Sequence, residues 1–359
     1  MTTEHEVTGL IGASPKRVED PPLITGKGCY TDDIHLPGML YLAFQRSPYP
    51  HAKIISIDTG KAKTMAGVEL VIPGDDLSDK LNLAPSQVLP NLKIPAHPVL
   101  ARGAVHCVGV PVAAVVAKTR AQAEDAAQAI EVEYAALPGV SNAEDALKPG
   151  APLAHQDLDS NVCYTLVKNG GNVDKAFAAA DHIFTMHIAS PRQVALAMEP
   201  RGIVASPDPF GKNLTVWLST QGPHRARAEI AGVLGFPEHK IHLIAPDVGG
   251  GFGSKGPVYR EDIIVCHLAL KLRKSIKWIA TRSEDFFTTI QGRDQAMTSE
   301  MALRKDGKIL GLKVKVVANL GAYLHSSTAG PPQRMMGMAC GSYQIKDCRV
   351  EIVSVFTNT

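Results

Sequence analysis

The segment Asp247-Val248-Gly249-Gly250-Gly251-Phe252-Gly253-Ser254-Lys255 limits what this chain can fold into more than any other stretch. Four glycines surround one phenylalanine. Glycine admits positive φ and lets another group come close to the backbone. The segment lies between Lys240 to Ala245, which reads as a strand, and Val258 to Leu272, which puts Ile263, Ile264, His267 and Leu270 at the core spacing of a helix. Successive N–H groups at such a turn, aimed like the following helix's amino end, form a concavity that accepts an anion. Phe252 then stands out of the loop as an apolar wall. A tight strand–helix connection with no ligand meets the same pattern, so the glycines alone assign no function. Two nucleotide-binding loops are poorer readings: GxGxxG is absent in that frame with no distal acid following a βαβ unit, and GxxxxGK followed by Ser or Thr does not occur.

Two further segments carry polar groups in suggestive places. Ser219-Thr220-Gln221-Gly222-Pro223-His224 joins a strand, Leu214 to Ser219, to a helix, Pro223 to Leu234, which Gly235 stops. The Gln221 amide at a strand's carboxyl end is placed to point into a cleft, although an ordinary helix cap is the plainer reading. Met198-Glu199-Pro200-Arg201-Gly202 sets a charged pair across a proline, which reads as a surface turn with a solvated ion pair.

The remainder sets the architecture. Residues 1–15 carry little pattern and read as a loose arm. Met39 to Arg46, Ile54 to Asp58 and Val68 to Pro73 read as strands, and Thr59 to Met65 as a short helix. Ser47-Pro48-Tyr49-Pro50-His51-Ala52 is a loop, because its two prolines forbid regular structure. Val105 to Ala117 is nearly all apolar and suits a strand buried on both faces. Thr119 caps a helix running to Ala129, and Ile130 to Tyr134 is a strand. Residues 138–160, punctuated by Pro138-Gly139, Pro149-Gly150 and Pro152, read as a linker. Beyond it, Asp174 to Ala180 is a helix. His182 to Ile188, Ile276 to Ala280, Ala296 to Arg304 and Ile309 to Asn319 are strands, the last two joined by a tight turn at Asp306-Gly307-Lys308. Val350 to Phe356 reads as a strand without partners in the chain, leaving an apolar edge open to association. The whole implies an α+β fold.

Composition removes several function classes. A formal net charge of +2 gives no electrostatic case for nucleic acid or an anionic membrane. The longest apolar runs, such as Val108 to Ala117, fall well short of the roughly twenty residues a membrane span needs. The opening, Met1 to Val7, contains Glu4 and Glu6 and is the wrong chemistry for a secretory signal. Six cysteines, none in a CxxC pair, argue against a zinc or iron–sulfur site in this chain and fit reduced thiols in a cytoplasmic protein. Met335-Met336-Gly337-Met338 with Cys340 could suggest copper, but adaptable core packing is methionine's usual role. His182 and His187 point to opposite faces of a strand and cannot share an ion.

In this order and spacing, the three motifs resemble the molybdenum hydroxylase large subunits of the xanthine dehydrogenase, aldehyde oxidase and carbon monoxide dehydrogenase family. Arg17 to Asp33, Ser47 to Ala52 and Val108-Gly109-Val110-Pro111-Val112 resemble that family's a/b hammerhead domain. The resemblance covers nearly the whole chain. It implies an arm over 1–15, a hammerhead domain over 16–137, a linker over 138–160 and a first molybdopterin-binding subdomain over 161–359. It implies that Gln221 hydrogen-bonds an oxygen ligand of molybdenum without binding the metal itself. The backbone around Gly250, Gly251, Phe252 and Gly253 would approach the metal centre and its pterin dithiolene. The implied cofactor is molybdenum–molybdopterin, its cytosine dinucleotide form included. The implied reaction oxidises aldehydes, N-heterocycles or carbon monoxide with water-derived oxygen. Electrons would leave through 2Fe-2S clusters on a small subunit and FAD on a medium subunit. Amide donors around a metal-oxo group suit this chemistry, since they stabilise charge that builds on oxygen.

The resemblance also implies an incomplete site. It stops at Val355-Phe356-Thr357-Asn358-Thr359, where the family leads into an arginine- and glycine-containing cofactor loop. The family's late glutamate, the general base, lies beyond that point. Glu199, Glu261 and Glu284 do not match its motif, and no cysteine matches the active-site cysteine of carbon monoxide dehydrogenases. The expectation is a chain with no catalytic residue of its own, inactive alone, that needs the remaining molybdopterin-binding half as a partner. A fragment or one piece of a split subunit meets it equally. The alternative is a cofactor-free structural or assembly module that keeps the fold. A nucleotide-binding use of the glycine loop is weaker, because the phosphate-loop lysine is absent.

Overall fold

The computed structural model describes residues 9, 11–78, 81–83, 85, 89 and 91–359; the expected amino-terminal arm lies mostly outside them. The first part contains α1 (Asp20–Ile24), β1 (Leu40–Arg46), β2 (Ala52–Asp58), α2 (Gly60–Lys63), β3 (Val68–Pro73), β4 (Ala104–Val105), β5 (Pro111–Ala117), α3 (Arg120–Gln128) and β6 (Glu131–Ala136). Thr119 caps α3 by accepting the Gln122 N–H on its hydroxyl, which satisfies one of the helix's orphan donors. β5 is buried along its whole length, as its valines require. The expected single strand over Val105 to Ala117 is broken, however. Residues 107–109 turn, Gly109 takes φ 84°, and a side chain there would press on Phe287 and Thr288. An apolar run reports burial, and it does not report a turn within it.

The second part contains β7 (Val162–Gly170), α4 (Val173–Ala178), β8 (His182–Ser190), β9 (Gln193–Val194), β10 (Gly202–Pro207), β11 (Leu214–Leu218), α5 (Pro223–Leu234), β12 (Ile241–Ile244), α6 (Arg260–Leu272), β13 (Ile276–Ile279), α7 (Arg282–Thr288), β14 (Gln291–Gly292), β15 (Gln295–Leu303), β16 (Ile309–Asn319), α8 (Gly330–Met335) and β17 (Asp347–Val355). The fold is α+β, as expected.

One sheet crosses between the two parts. Its order is β12-β11-β10-β13-β1-β5-β3, and the junction is the parallel pairing of β1 with β13 through Leu40↔Ile276 and Tyr41↔Lys277. Helix α6 lies on it, with Ile263, Ile264 and Leu268 fully buried beside Ile203, Val216 and Ile276. Residues 138–160 are packed as well. Val140, Ala143, Ala146 and Ala154 are buried, and the Asn161 side chain bonds the backbone of Ala154, Ala146 and Pro152.

The second sheet has the order β7-β17-β16-β15-β8. It overturns the expected open edge at Val350 to Phe356. β17 pairs parallel with β16 and antiparallel with β7, and Ile352, Val355 and Phe356 are fully buried. The sheet's edge strands are β7 and β8, and on β8 Ile183, Phe184, Met186 and Ile188 are exposed. Among the described residues no helix is long and apolar enough to cross a membrane.

Candidate functional site

β11 and β12 are parallel neighbours, paired from Leu214↔Ile241 to Trp217↔Ile244, so their carboxyl ends lie side by side. After β11 the chain passes through Ser219–Gly222 into α5. After β12 it passes through the glycine loop towards α6. Two loops leaving the carboxyl ends of adjacent parallel strands meet there, at the end of the strands where ligands usually sit in such sheets.

All five site residues named from the sequence meet there. The Gly253 N–H donates to Gln221 Oε1 at 2.9 Å, and the Gln221 N–H donates to the Lys255 carbonyl at 2.9 Å. The Ser254 N–H donates to the Gly251 carbonyl at 2.8 Å and closes the turn. A Cβ at Gly251 would stand 2.5 Å from Gln221 Cδ, so only glycine lets the amide lie on the loop. Because a backbone N–H can only donate, the Gln221 oxygen must face the loop. That turns Nε2 away from it, as a donor without a hydrogen-bond partner among the described residues.

The loop's tip has an unusual backbone. Gly250 and Gly253 take φ 98° and 91°, and Phe252 between them takes φ 49°. A bulky residue in the left-handed region is strained. Phe252 is nonetheless 74% exposed, so its ring stands out of the loop as the sequence suggests. A Cβ at Gly250 would sit 3.0 Å from the Phe252 ring and 3.2 Å from Ala197 Cβ, which shows how closely these groups gather.

The expected solvated pair of Glu199 and Arg201 does not exist. Arg201 is 4% exposed and pairs with Glu261 at 3.3 Å and Asp285 at 3.4 Å, with its guanidinium 3.8 Å above the Tyr259 ring. Glu199 turns the other way. Its Oε2 accepts the Gly249 N–H at 2.8 Å, the Ser219 hydroxyl at 2.6 Å and the Lys255 ammonium at 2.8 Å. Pro200 separates the two charges, and each finds a buried partner from another element. Burial lowers the Lys255 pKa, and Glu199 works against that. Reading the sequence missed Glu199, Ser219, Asp247 and Lys255 as supports of the loop. The available signal was Lys255 itself, a lysine closing an apolar glycine loop and therefore in need of a carboxylate.

The other glutamates singled out do not touch the loop. Glu261 lies between Arg46 and Arg201. Although burial opposes its charge, the two guanidiniums hold it down at about 2. Glu284 caps α7 and pairs with Arg46 at 3.0 Å. Met335, Met336 and Cys340 pack on the core of the second sheet, while Met338 is exposed. Among the described residues no cluster of three or more His, Cys, Asp or Glu could hold a metal ion. The two loops thus offer amide donors, one apolar ring and a part-buried carboxylate behind the glycine loop. Such a surface can hold an oxygen-rich group without binding a metal directly.

Residues 154–359 match the family described as "Molybdopterin cofactor-binding domain", and residues 25–138 match "Aldehyde oxidase and xanthine dehydrogenase, a/b hammerhead domain". The carbon monoxide dehydrogenase large chain of Afipia carboxidovorans is 37% identical; the match takes in 97% of this chain and 44% of that protein. The nicotinate dehydrogenase large molybdopterin subunit of Eubacterium barkeri is 31% identical, over 97% of this chain and 79% of that protein. Among solved structures, quinoline 2-oxidoreductase from Pseudomonas putida 86 superposes with a TM-score of 0.91 at 35% identity, covering 97% of this chain and 44% of that one. The chain therefore spans less than half the length of the carbon monoxide dehydrogenase and quinoline enzyme chains, and most of the nicotinate dehydrogenase subunit.

Proposed function

This chain belongs to the molybdopterin-cofactor-binding family of xanthine dehydrogenase and carbon monoxide dehydrogenase large subunits, and from that membership we propose that its glycine loop and Gln221 form one wall of a molybdenum–pterin site. The observation that carries the proposal is the Gly253 N–H donating to Gln221 Oε1, since it fixes Nε2 as an outward donor. The residues present fit such a group. Gly250, Gly251 and Gly253 leave room for close approach, Phe252 offers an apolar face, and the free amide donates to an oxygen.

When bound, the cofactor would supply a water-derived oxygen and take up the electron pair removed from the substrate. The chain's own part is binding and orientation. Gln221 Nε2 would donate to an oxygen ligand of the metal and lower the cost of negative charge there. The Phe252 ring would keep water from that side of the site, and the glycine loop would hold the donors rigid so that none reorganises during the reaction. The proton-accepting glutamate and the remaining cofactor loops belong, in this reading, to a further molybdopterin-binding part, without which the chain is inactive.

The finer proposals follow the family resemblance. Electrons would pass to a 2Fe-2S small subunit and an FAD medium subunit, and the pterin would be of the cytosine dinucleotide form. Substrates would be aldehydes, N-heterocycles or carbon monoxide. Six free thiols support a reducing, cytoplasmic setting.

Molybdenum and pterin content of the chain, purified from a host that makes the cofactor, tests the proposal. Near-stoichiometric metal that falls in Gln221→Ala is the expected result. Folded protein that holds neither metal nor pterin, alone or with partner subunits, would instead leave the cofactor-free module.

A further inference from the structure

The glycine loop is gripped from behind by a segment 218 positions earlier in the chain. Asp247, at the loop's start, accepts the Cys29 N–H on Oδ2 at 2.8 Å and donates its own N–H to the Cys29 carbonyl at 3.0 Å. Glu199 continues the grip. One oxygen, Oε2, accepts from the loop's first glycine, from Lys255 at its end and from Ser219 at the end of β11. The other, Oε1, accepts the Thr31 N–H at 3.4 Å. The fit is close: a Cβ at Gly249 would stand 2.5 Å from Glu199 Cβ and 3.4 Å from the Tyr30 ring. Lys255 is itself enclosed, its side chain 1% exposed. An ammonium so buried must be paired, and Glu199 is the carboxylate that it bonds.

A single carboxylate therefore ties both ends of the loop to β11 and to the hammerhead segment. Phe252 and the Gln221–Gly253 contact lie between those two ties. We propose that Glu199 and Lys255 are the positioning pair of this site, a clasp that sets the loop's N–H groups and Gln221 and couples them to residues 29–31. Neither residue is assigned a contact with the cofactor. The consequence for cofactor binding rests on the function proposed above, but the clasp itself is open to test in the chain without cofactor.

Hydrogen–deuterium exchange on the full chain, followed in peptides over 247–255, 28–33 and 260–272, reads the clasp directly. In Glu199→Gln the protection of 247–255 falls by about tenfold, the scale of a lost charge-assisted hydrogen bond, while 28–33 loosens with it and α6 keeps its protection. Glu199→Asp, which keeps the charge, recovers part of the loss. Glu199→Gln also leaves Lys255 without its carboxylate. Protection of 247–255 in that variant should then change as Lys255 sheds its proton below the usual lysine range. This step lies at lower pH than in the wild type, where Glu199 works against the effect of burial, and it is absent from Glu199→Gln/Lys255→Met. If Glu199→Gln alone fails to fold, the double variant leaves no buried charge unpaired and carries the loop measurement. Unchanged protection of the loop overturns the proposal, as does a loss shared equally by α6, or a folded Glu199→Gln without the titration step. Loss of molybdenum in the same variants would extend the clasp to cofactor binding. Loosening of the loop in a chain that never holds molybdenum would keep the clasp and reject the cofactor reading.

Discussion

Phe252 holds a left-handed backbone that costs a bulky residue about 1–3 kcal/mol, and with its ring 74% exposed it recovers little by packing. Phe252→Gly removes the strain while adding about 1 kcal/mol of unfolded-state freedom. Calorimetry should therefore find the unfolding temperature nearly unchanged, while molybdenum retention falls. A drop of many degrees would mean that the ring packs on protein and is not kept for a ligand. Gly251→Ala tests the opposite face of the loop. Its Cβ would collide with the Gln221 amide, so the Gly253–Gln221 bond should be lost at a cost of about 1 kcal/mol, with faster exchange at Gly253. An unchanged Gly253 exchange rate would show that the amide can move aside freely. That Gly251, Phe252 and Gln221 come together is legible from the ordered motifs and the family resemblance they carry, while the glycine spacing alone assigns them no function. The pairing of Glu199 and Arg201 is not legible there. Adjacency suggested one pair, whereas the partners, Lys255 and Glu261, are brought up by other elements.

The same limit appears at the scale of elements. The existence and type of β1, β3, β11, α5, α6, β15 and β16 follow from periodicity and from stops such as Gly235 at φ 62°. Neighbours in a sheet do not. β17 reads as a strand whose partners lie outside the chain, whereas β16 and the distant β7 supply them, and pairing across a separation like that to β7 leaves no local trace. β8 alternates like a half-buried strand but is exposed on both faces. Phe184→Lys should therefore reduce self-association seen by light scattering, with unfolding temperature nearly constant; unaltered association would place the sticky surface elsewhere. Helix α6 shows the reverse case, a helix whose charged first turn is buried. Glu261 bridges Arg46 and Arg201, so Glu261→Gln should destabilise the chain by about 3–5 kcal/mol in chemical denaturation. The Glu261 pKa is held at about 2, below its ordinary 4.5, so this contribution is present above pH 4.5 and is lost as pH falls towards 2. The variant should lack that component of acid sensitivity, and an identical acid profile would rule the bridge out as its source.

Across the whole molecule, the seam between the two parts is built from histidines. His51, His97 and His106 come from the first part, and His155 and His325 from the second. His106 stacks on His155 at 4.1 Å, and His97 on Tyr323 at 4.6 Å. Four of the rings bond backbone carbonyls: His51 with Pro138, His97 with Leu324, His106 with Ala154 and His155 with Ala322. A carbonyl only accepts, so each of those nitrogens carries its proton. The other nitrogen of His97 accepts from Arg260, which fixes that ring as neutral. Burial, and Arg260 after it, drives His97 well below its ordinary value and His325 to about 3. Burial with the neighbouring His155 takes His106 to about 3, and burial lowers His155. Above pH 6.5 these four rings are neutral whether folded or not and contribute no pH dependence. Below it the unfolded chain binds protons that the folded seam refuses, so stability falls continuously towards pH 3. His97, His106 and His325 each contribute about 1.4 kcal/mol per pH unit, about 4 kcal/mol per unit together, against which Asp262, raised by burial to about 7, binds one proton in the folded chain over the same range. Because one sheet crosses the seam through β1 and β13, acid should unfold both parts in a single transition rather than release the hammerhead part alone. Urea midpoints between pH 7 and 5, followed by tryptophan fluorescence and circular dichroism together, measure both claims. His106→Asn should shallow the slope by about one proton. A slope of less than one proton in the native chain, or two separate transitions, would show that the seam opens to water before it titrates.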